Sequence, residues 1–129
     1  MGTNLHSSVI DFFLARMNNH DCVLSCTRVN YPSDYIYLIE RTKSRPPVNV
    51  YLSDSYDFGL AEYLGRPPLL GRGDFILIAR PEACWDFSLV ERAWLDGIGI
   101  GGIAKLMGAL NRERIWEYVP PEKSKQSVT

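Results

Sequence analysis

The fold class is decided by the segment Gly73-Asp74-Phe75-Ile76-Leu77-Ile78-Ala79. Five consecutive apolar residues follow a Gly-Asp pair, and Pro81 comes two positions after the run. A short apolar run between turn residues is typical of a strand that is covered on both faces. We therefore predict a central strand here, in a sheet with helices packed against it.

Earlier in the chain, hydrophobic periodicity predicts a helix and a series of strands. Apolar residues at helical spacing favour a helix from about Ser8 to Asn18, and Phe58 to Leu64 suits one or two helical turns. Runs rich in aromatic and β-branched residues, separated by turn residues, predict three strands over Cys22–Val29, Tyr35–Glu40 and Val48–Leu52.

Beyond Pro81 the sequence predicts a helical layer. Phe87–Leu95 and Gly102–Leu110 have helical patterns, and the glycine-rich stretch Gly97–Gly102 is interpreted as the connection between them. Arg114–Val119 suits a strand or a helix. The predicted fold is one α/β domain over residues 4–120, a two- or three-layer sandwich with a mixed sheet of four or five strands. An α+β arrangement is the alternative, and residues 121–129 form a polar tail.

Composition limits the classes of function. The 129 residues include 14 Lys and Arg against 15 Asp and Glu, so the net charge is -1 and any nucleic-acid binding must be local. Three cysteines make neither an even disulfide set nor a C-x-x-C pair, which favours a reducing compartment. With no signal peptide or membrane-spanning run in the sequence, we expect a cytoplasmic protein without a membrane partner.

The element order α-β-β-β-α-β through Ala79 resembles that of the restriction-endonuclease-like nucleases. The resemblance implies an acid on the second strand and an acid-x-Lys triplet on the third, which together hold a divalent metal. Val48–Leu52 has no such triplet, and the nearest substitute is Glu40 with Lys43. The catalytic candidates are Asp34, Glu40, Lys43 and Asp54. Alternatively, Asp34 caps a turn and the lysine belongs to a solvated loop.

Asp54 and Asp57 follow a predicted buried strand at its carboxyl end, where open α/β sheets commonly bind ligands. Two carboxylates at this spacing could hold Mg²⁺ or act as acid and base. The segment also resembles a helix N-terminus, in which an Asp accepts amide hydrogen bonds. Both interpretations stay open, and no cofactor is required.

Basic residues occur in two segments far apart in the chain. Ile103–Gly108 resembles the start of a helix-turn-helix unit, whose recognition helix would begin at residues 111–114; core packing is the alternative. Gly97–Gly102 also matches G-x-G-x-x-G, but lies too late in the chain for a dinucleotide site. The candidates for phosphate contacts are Arg41, Lys43, Arg45, Arg112 and Arg114.

Two hypotheses of function follow. The first is a small nucleic-acid-associated domain, either a metal-dependent nuclease or a nuclease-like fold that acts mainly by binding. The second is a non-enzymatic module that binds a protein partner or forms a homo-oligomer through aromatic surface residues.

Overall fold

A computed structural model describes residues 7–29, 35–53, 57–79, 84–85 and 87–118. The helices are α1 (Ser7–Asn18), α2 (Leu60–Leu64), α3 (Phe87–Asp96) and α4 (Ile103–Ala109), followed by a 3-10 helix at Ile115–Glu117. The strands are β1 (Val23–Arg28), β2 (Tyr35–Arg41), β3 (Val48–Ser53), β4 (Asp57–Phe58), β5 (Phe75–Ile78), β6 (Cys84–Trp85) and β7 (Gly99–Gly101).

Five strands form one mixed sheet in the order β1-β2-β3-β5-β7. β2 pairs antiparallel with β1 and with β3, whereas β3, β5 and β7 are parallel. Only β2 therefore runs against the other four strands of this sheet. Consequently the end of β2 and the starts of β3, β5 and β7 lie at the same edge of the sheet.

β5 lies between β3 and β7, and all four of its residues are buried. Its side chains alternate between two apolar clusters. Phe75 and Leu77 belong to the cluster that contains residues of α1 and α4, whereas Ile76 and Ile78 belong to the cluster that contains residues of α2 and α3. The predicted central strand is confirmed, and the domain is a three-layer α/β sandwich.

The segment Gly97–Gly102 was predicted as a helix connection, and that prediction is wrong. Its centre is β7, which pairs with β5 and is the outermost strand on that side of the five-stranded sheet. Ile98 and Ile100 are buried in the α2–α3 cluster. A side chain at Gly99 would lie 2.6 Å from the ring of Phe75, its partner on β5. Glycine at this position therefore leaves room for the Phe75 ring beside β7.

The predicted recognition helix does not form. α4 ends at Ala109, residues 110–114 make turns and bends, and a 3-10 helix of three residues follows. The helix-turn-helix interpretation is therefore wrong, because the described chain after α4 has no second α-helix, and Ile115 lies in the 3-10 helix and packs in the α1–α4 cluster. In the described ranges, no helix has both the length and the apolar character needed to cross a membrane.

Candidate functional site

Arg41, the last residue of β2, joins two distant segments of the chain. Alternation along β2 places it on the same side of the sheet as Tyr37 and Ile39, where the chain following α4 also lies. Its side chain donates hydrogen bonds of 2.5 to 3.3 Å to the carbonyl oxygens of Pro46, Leu110, Arg112 and Glu113. The residue is only 4% exposed. It therefore holds the β2–β3 turn against the loop that follows α4.

The charge of Arg41 is compensated by dipoles more than by acids. Burial lowers its pKa, and the nearby positive charge of Arg45 lowers the pKa further, while Cys22 and Glu113 act in the opposite direction. An arginine remains protonated in proteins, so a positive charge stays beneath this surface. Hydrogen bonds to the carbonyl oxygens supply the compensation that a buried cation requires.

The turn between β2 and β3 has a strained backbone. Lys43 and Ser44 have φ values of 60° and 59°, and the Arg45 amide donates to the Thr42 carbonyl oxygen at 3.3 Å. Positive φ at both central residues is the pattern of a type I′ turn, which normally takes glycine or asparagine. Here a lysine and a serine occupy it, and both are exposed. Strained positions of this kind cluster at functional sites.

A small polar network links this turn to the loop after α4 at a second point. The thiol of Cys22 lies 3.0 Å from Asn111 Oδ1, and Arg45 Nη1 lies 3.8 Å from the same sulfur atom. His20 supports this network: its Nδ1 accepts a hydrogen bond from the Cys22 amide, so Nε2 must donate to the Met107 carbonyl oxygen at 2.7 Å. The turn and the loop are thus tied together through Arg41 and through Cys22.

The loop itself exposes two arginines and two glutamates around a cavity of about 250 Å³: Arg112, Arg114, Glu113 and Glu117. Arg114 Nη1 lies 3.4 Å from Glu117 Oε2, and both side chains are well exposed. An exposed ion pair of this type contributes little to stability, and a competing anion can displace it. The arginines are therefore available to a ligand.

Arg72, which the sequence analysis missed, lies at the same edge. It precedes β5 in the chain, and its guanidinium lies 5.3 Å from the centroid of the Trp116 ring. Gly97 has φ of 77°, and a side chain there would lie 2.6 Å from Arg72 Cγ. Glycine at 97 thus leaves room for the arginine stem. Arg72 is recognised as a member of this surface only in the tertiary structure, where the chain that precedes β5 packs against α3 and the 3-10 helix.

We call this surface the basic edge and define it by five residues. Arg41, although predicted to contact phosphate, is buried beneath the surface and is therefore left out of it. The remaining four predicted cations lie in the turn and the loop that Arg41 joins, and Arg72 completes the group. The basic edge consists of Lys43, Arg45, Arg72, Arg112 and Arg114.

Of the predicted acidic residues, only Glu40 has a described side chain. Asp34 and Asp54 lie outside the described residues, and of Asp57 only the backbone, in β4, is described. Glu40 is exposed and pairs with Ser25 of β1. It lies five positions along β2 from Tyr35, and Tyr35 pairs with Leu52 near the end of β3. At about 3.3 Å per residue, some 17 Å of strand separates the two ends. Glu40 therefore lies at the opposite edge of the sheet from the chain that follows β3.

No metal site is visible in the described ranges, which contain no group of three His, Cys, Asp or Glu side chains able to hold an ion. A magnesium site at Asp54 and Asp57 stays a prediction, because the side chains that would form it are not described.

The opposite edge of the sheet has an apolar cavity of about 470 Å³ between α1, the end of β5 and the start of α4. Phe12, Leu77 and Ile103 are among its walls. Of the described residues that line it, Ser8 alone has a polar side chain. The described residues of this lining offer no acid–base pair.

No family model, no curated protein and no solved structure matches this chain. Any indication of function therefore comes from the geometry of the described residues.

Proposed function

We propose that the protein binds nucleic acid through phosphate contacts made by the basic edge, without catalysing a reaction on it. The observation that carries the proposal is the role of Arg41. It joins segments that are 69 to 72 positions apart in the sequence and so gathers two basic loops on one surface. A buried arginine used in this way gives the loops a defined relative position.

The chemistry of the basic edge suits phosphate. Four of its five residues are arginines, whose planar guanidinium groups match the geometry of phosphate oxygens. The net charge of the whole chain is -1, so the protein has no general attraction for polyanions. Binding is therefore expected to be confined to this surface and to weaken steeply with salt.

Glu113 and Glu117 moderate the positive charge of the surface. Both line the cavity beside Arg112 and Arg114. If phosphate binds here, replacing each glutamate by the neutral isostere should strengthen binding. Glu113→Gln and Glu117→Gln therefore provide variants with an expected gain, which nonspecific damage to the fold could not imitate.

Fluorescence anisotropy with a labelled oligonucleotide, titrated at several salt concentrations, tests the proposal. We expect the double variant Lys43→Glu/Arg112→Glu to bind more weakly and to reduce the slope of log affinity against log salt by about two. The matched control is Arg16→Glu/Arg92→Glu, which makes the same change in charge on α1 and α3. Absence of binding, or equal loss in both double variants, would show the proposal to be wrong.

The same samples test the nuclease hypothesis. Binding through the basic edge needs no metal, so we expect the oligonucleotide to stay intact after incubation with Mg²⁺ or Mn²⁺. Cleavage that Asp54→Ala or Glu40→Ala abolishes would replace the binding proposal by a catalytic one.

A second candidate function is protein binding through α3. Trp94 and Leu95 are 49% and 78% exposed, and with Glu91 they line a depression of about 450 Å³. Exposed aromatic and aliphatic side chains beside each other are typical of interaction surfaces. Light scattering of the wild type and of Leu95→Lys tests this candidate. A defined oligomer that the variant disrupts would support it, and a wild-type monomer would exclude self-association.

A further inference from the structure

We infer that the ligand of the basic edge is a single-stranded nucleic acid, whose bases stack on two arginine–aromatic pairs. This inference rests on the proposed function and specifies its ligand. It comes from a different set of observations, namely the aromatic residues that follow the basic loop and the absence, among the described residues of the basic edge, of an element suited to a duplex groove.

No described helix projects from the basic edge. The chain that contributes Arg112 and Arg114 consists of turns and a 3-10 helix of three residues, and the cations Lys43 and Arg45 belong to a turn. Sequence reading in duplex DNA usually requires a helix or a β-ribbon that enters the major groove. The described part of the basic edge offers loops instead, which suit a flexible strand that can follow an irregular surface.

The first pair is Arg72 on Trp116. The guanidinium carbon lies 5.3 Å from the ring centroid, with the arginine exposed and the tryptophan half-buried. The ring is held from below because Trp116 packs against the α1–α4 cluster. The guanidinium is therefore a planar cation on a rigid base, with solvent access to the arginine.

The second pair is Arg112 on Tyr118, at 5.8 Å from the guanidinium carbon to the ring centroid. The tyrosine ring packs closely over Gly108 of α4, where any side chain would overlap it. Arg112 is exposed, and its own carbonyl oxygen accepts a hydrogen bond from Arg41. Both the ring and the backbone of the arginine are thus positioned before any ligand binds.

Two positioned guanidinium–aromatic pairs provide what unpaired bases require. Bases that are not in a duplex stack on aromatic rings or on arginine planes, whereas bases within a duplex present only their edges. Both rings lie within residues 112–118, whereas Arg72 precedes β5, and both arginines belong to the basic edge. A single strand could therefore place its backbone on the basic edge and its bases on the two pairs.

The test compares a fluorescein-labelled oligothymidylate of about 20 nucleotides with a duplex of the same length, by anisotropy at the same series of salt concentrations. We expect the single strand to bind at least about fivefold more tightly. The double variant Arg72→Lys/Arg112→Lys keeps both charges and removes both guanidinium planes. It should bind the single strand about fivefold to tenfold more weakly, with an unchanged salt slope.

Arg16→Lys is the matched control, because Arg16 also lies over an aromatic ring, Phe12, but on α1 outside the basic edge. It should bind as the wild type does. Equal affinity for single strand and duplex, or an unchanged affinity of the lysine double variant, would refute the inference and leave the proposed function standing. Absence of binding to both oligonucleotides would refute both.

Discussion

At the scale of single residues, the β2–β3 turn places local strain beside the basic edge. Ser44 has φ of 59° in an exposed turn, where a left-handed conformation costs a side-chain-bearing residue about 1 kcal/mol or more. We predict that Ser44→Gly stabilises the protein by about 1 kcal/mol, measured by urea unfolding, without loss of oligonucleotide binding. Ser25→Gly, the same change in the exposed strand β1, should destabilise it. A Ser44→Gly variant that is no more stable than the wild type would show that the turn is unstrained.

Arg41 is the residue on which the geometry of the basic edge depends. Removing its side chain leaves buried carbonyl oxygens without donors, including that of Leu110. We predict that Arg41→Met lowers the free energy of unfolding by about 2–4 kcal/mol and weakens oligonucleotide binding, although Arg41 itself is 4% exposed. Arg92→Met removes an exposed arginine instead and should cost less than about 1 kcal/mol. A similar small loss in both variants would contradict the structural role of Arg41.

Cys26 should be a slow thiol. Burial raises its pKa from 9.0 to about 11, so near pH 8 its thiolate fraction is about a hundredfold below that of an ordinary cysteine. We predict slow labelling by iodoacetamide in a Cys22→Ser/Cys84→Ser background, and ordinary labelling of the same protein in concentrated urea. Rapid labelling of the native protein near pH 8 would show that the thiol is not shielded.

The same pKa shift makes stability depend on pH. Because the folded state retains the proton of Cys26 more strongly than the unfolded state, the stability contribution is fully present below about pH 9. It is lost as the pH rises from 9 towards 11. Cys26→Ala should remove this dependence.

At the scale of elements, the sequence predicted most strands and helices because their periodicity is local. The run Phe75–Ile78 could be recognised as a buried strand from its length and its turn residues alone. Arg41, Lys43 and Arg45 could likewise be singled out as basic. That they meet Arg112 and Arg114 could not be predicted, because the hydrogen bonds of Arg41 join positions about seventy residues apart.

β7 was missed for a different physical reason. A strand that packs glycine on one side and isoleucine on the other lacks the β-branched run expected of a strand, and glycine repeats indicate turns. The role of the glycines becomes clear only when Phe75 and Ile115 are seen beside Gly99. Arg72 was missed as a site residue, and the pairing of Trp116 and Tyr118 with arginines could not be predicted, because this pairing is also a property of the tertiary structure.

A Cβ at position 99 would lie 2.6 Å from the Phe75 ring, which is fully buried. We predict that Gly99→Ala lowers the free energy of unfolding by about 1–3 kcal/mol, measured by urea unfolding. Gly71→Ala, where no atom lies within 4 Å of the added carbon, should change it by less than about 0.5 kcal/mol. Equal effects of the two variants would contradict the packing of β7.

At the scale of the whole molecule, one sheet serves two apolar cores. The residues of β5 alternate between the α1–α4 cluster and the α2–α3 cluster. Because both cores contain side chains of the same strand, we expect neither core to unfold without the other. The basic edge depends on the same sheet, since the end of β2 and the start of β5 position Arg41 and Arg72. Loss of the sheet should therefore abolish the binding surface together with both cores.

This arrangement predicts that the described domain unfolds as one cooperative unit. Phe13→Ala in the α1–α4 cluster and Leu89→Ala in the α2–α3 cluster should each lower the free energy of unfolding by about 2–5 kcal/mol, because both side chains are buried. Urea transitions followed by circular dichroism and by tryptophan fluorescence should coincide in each variant, with an unchanged slope m. Leu60→Ala, at a 52% exposed position, should change little. Separate transitions for the two probes, or a reduced m in one core variant only, would show instead that the two faces of the sheet unfold independently.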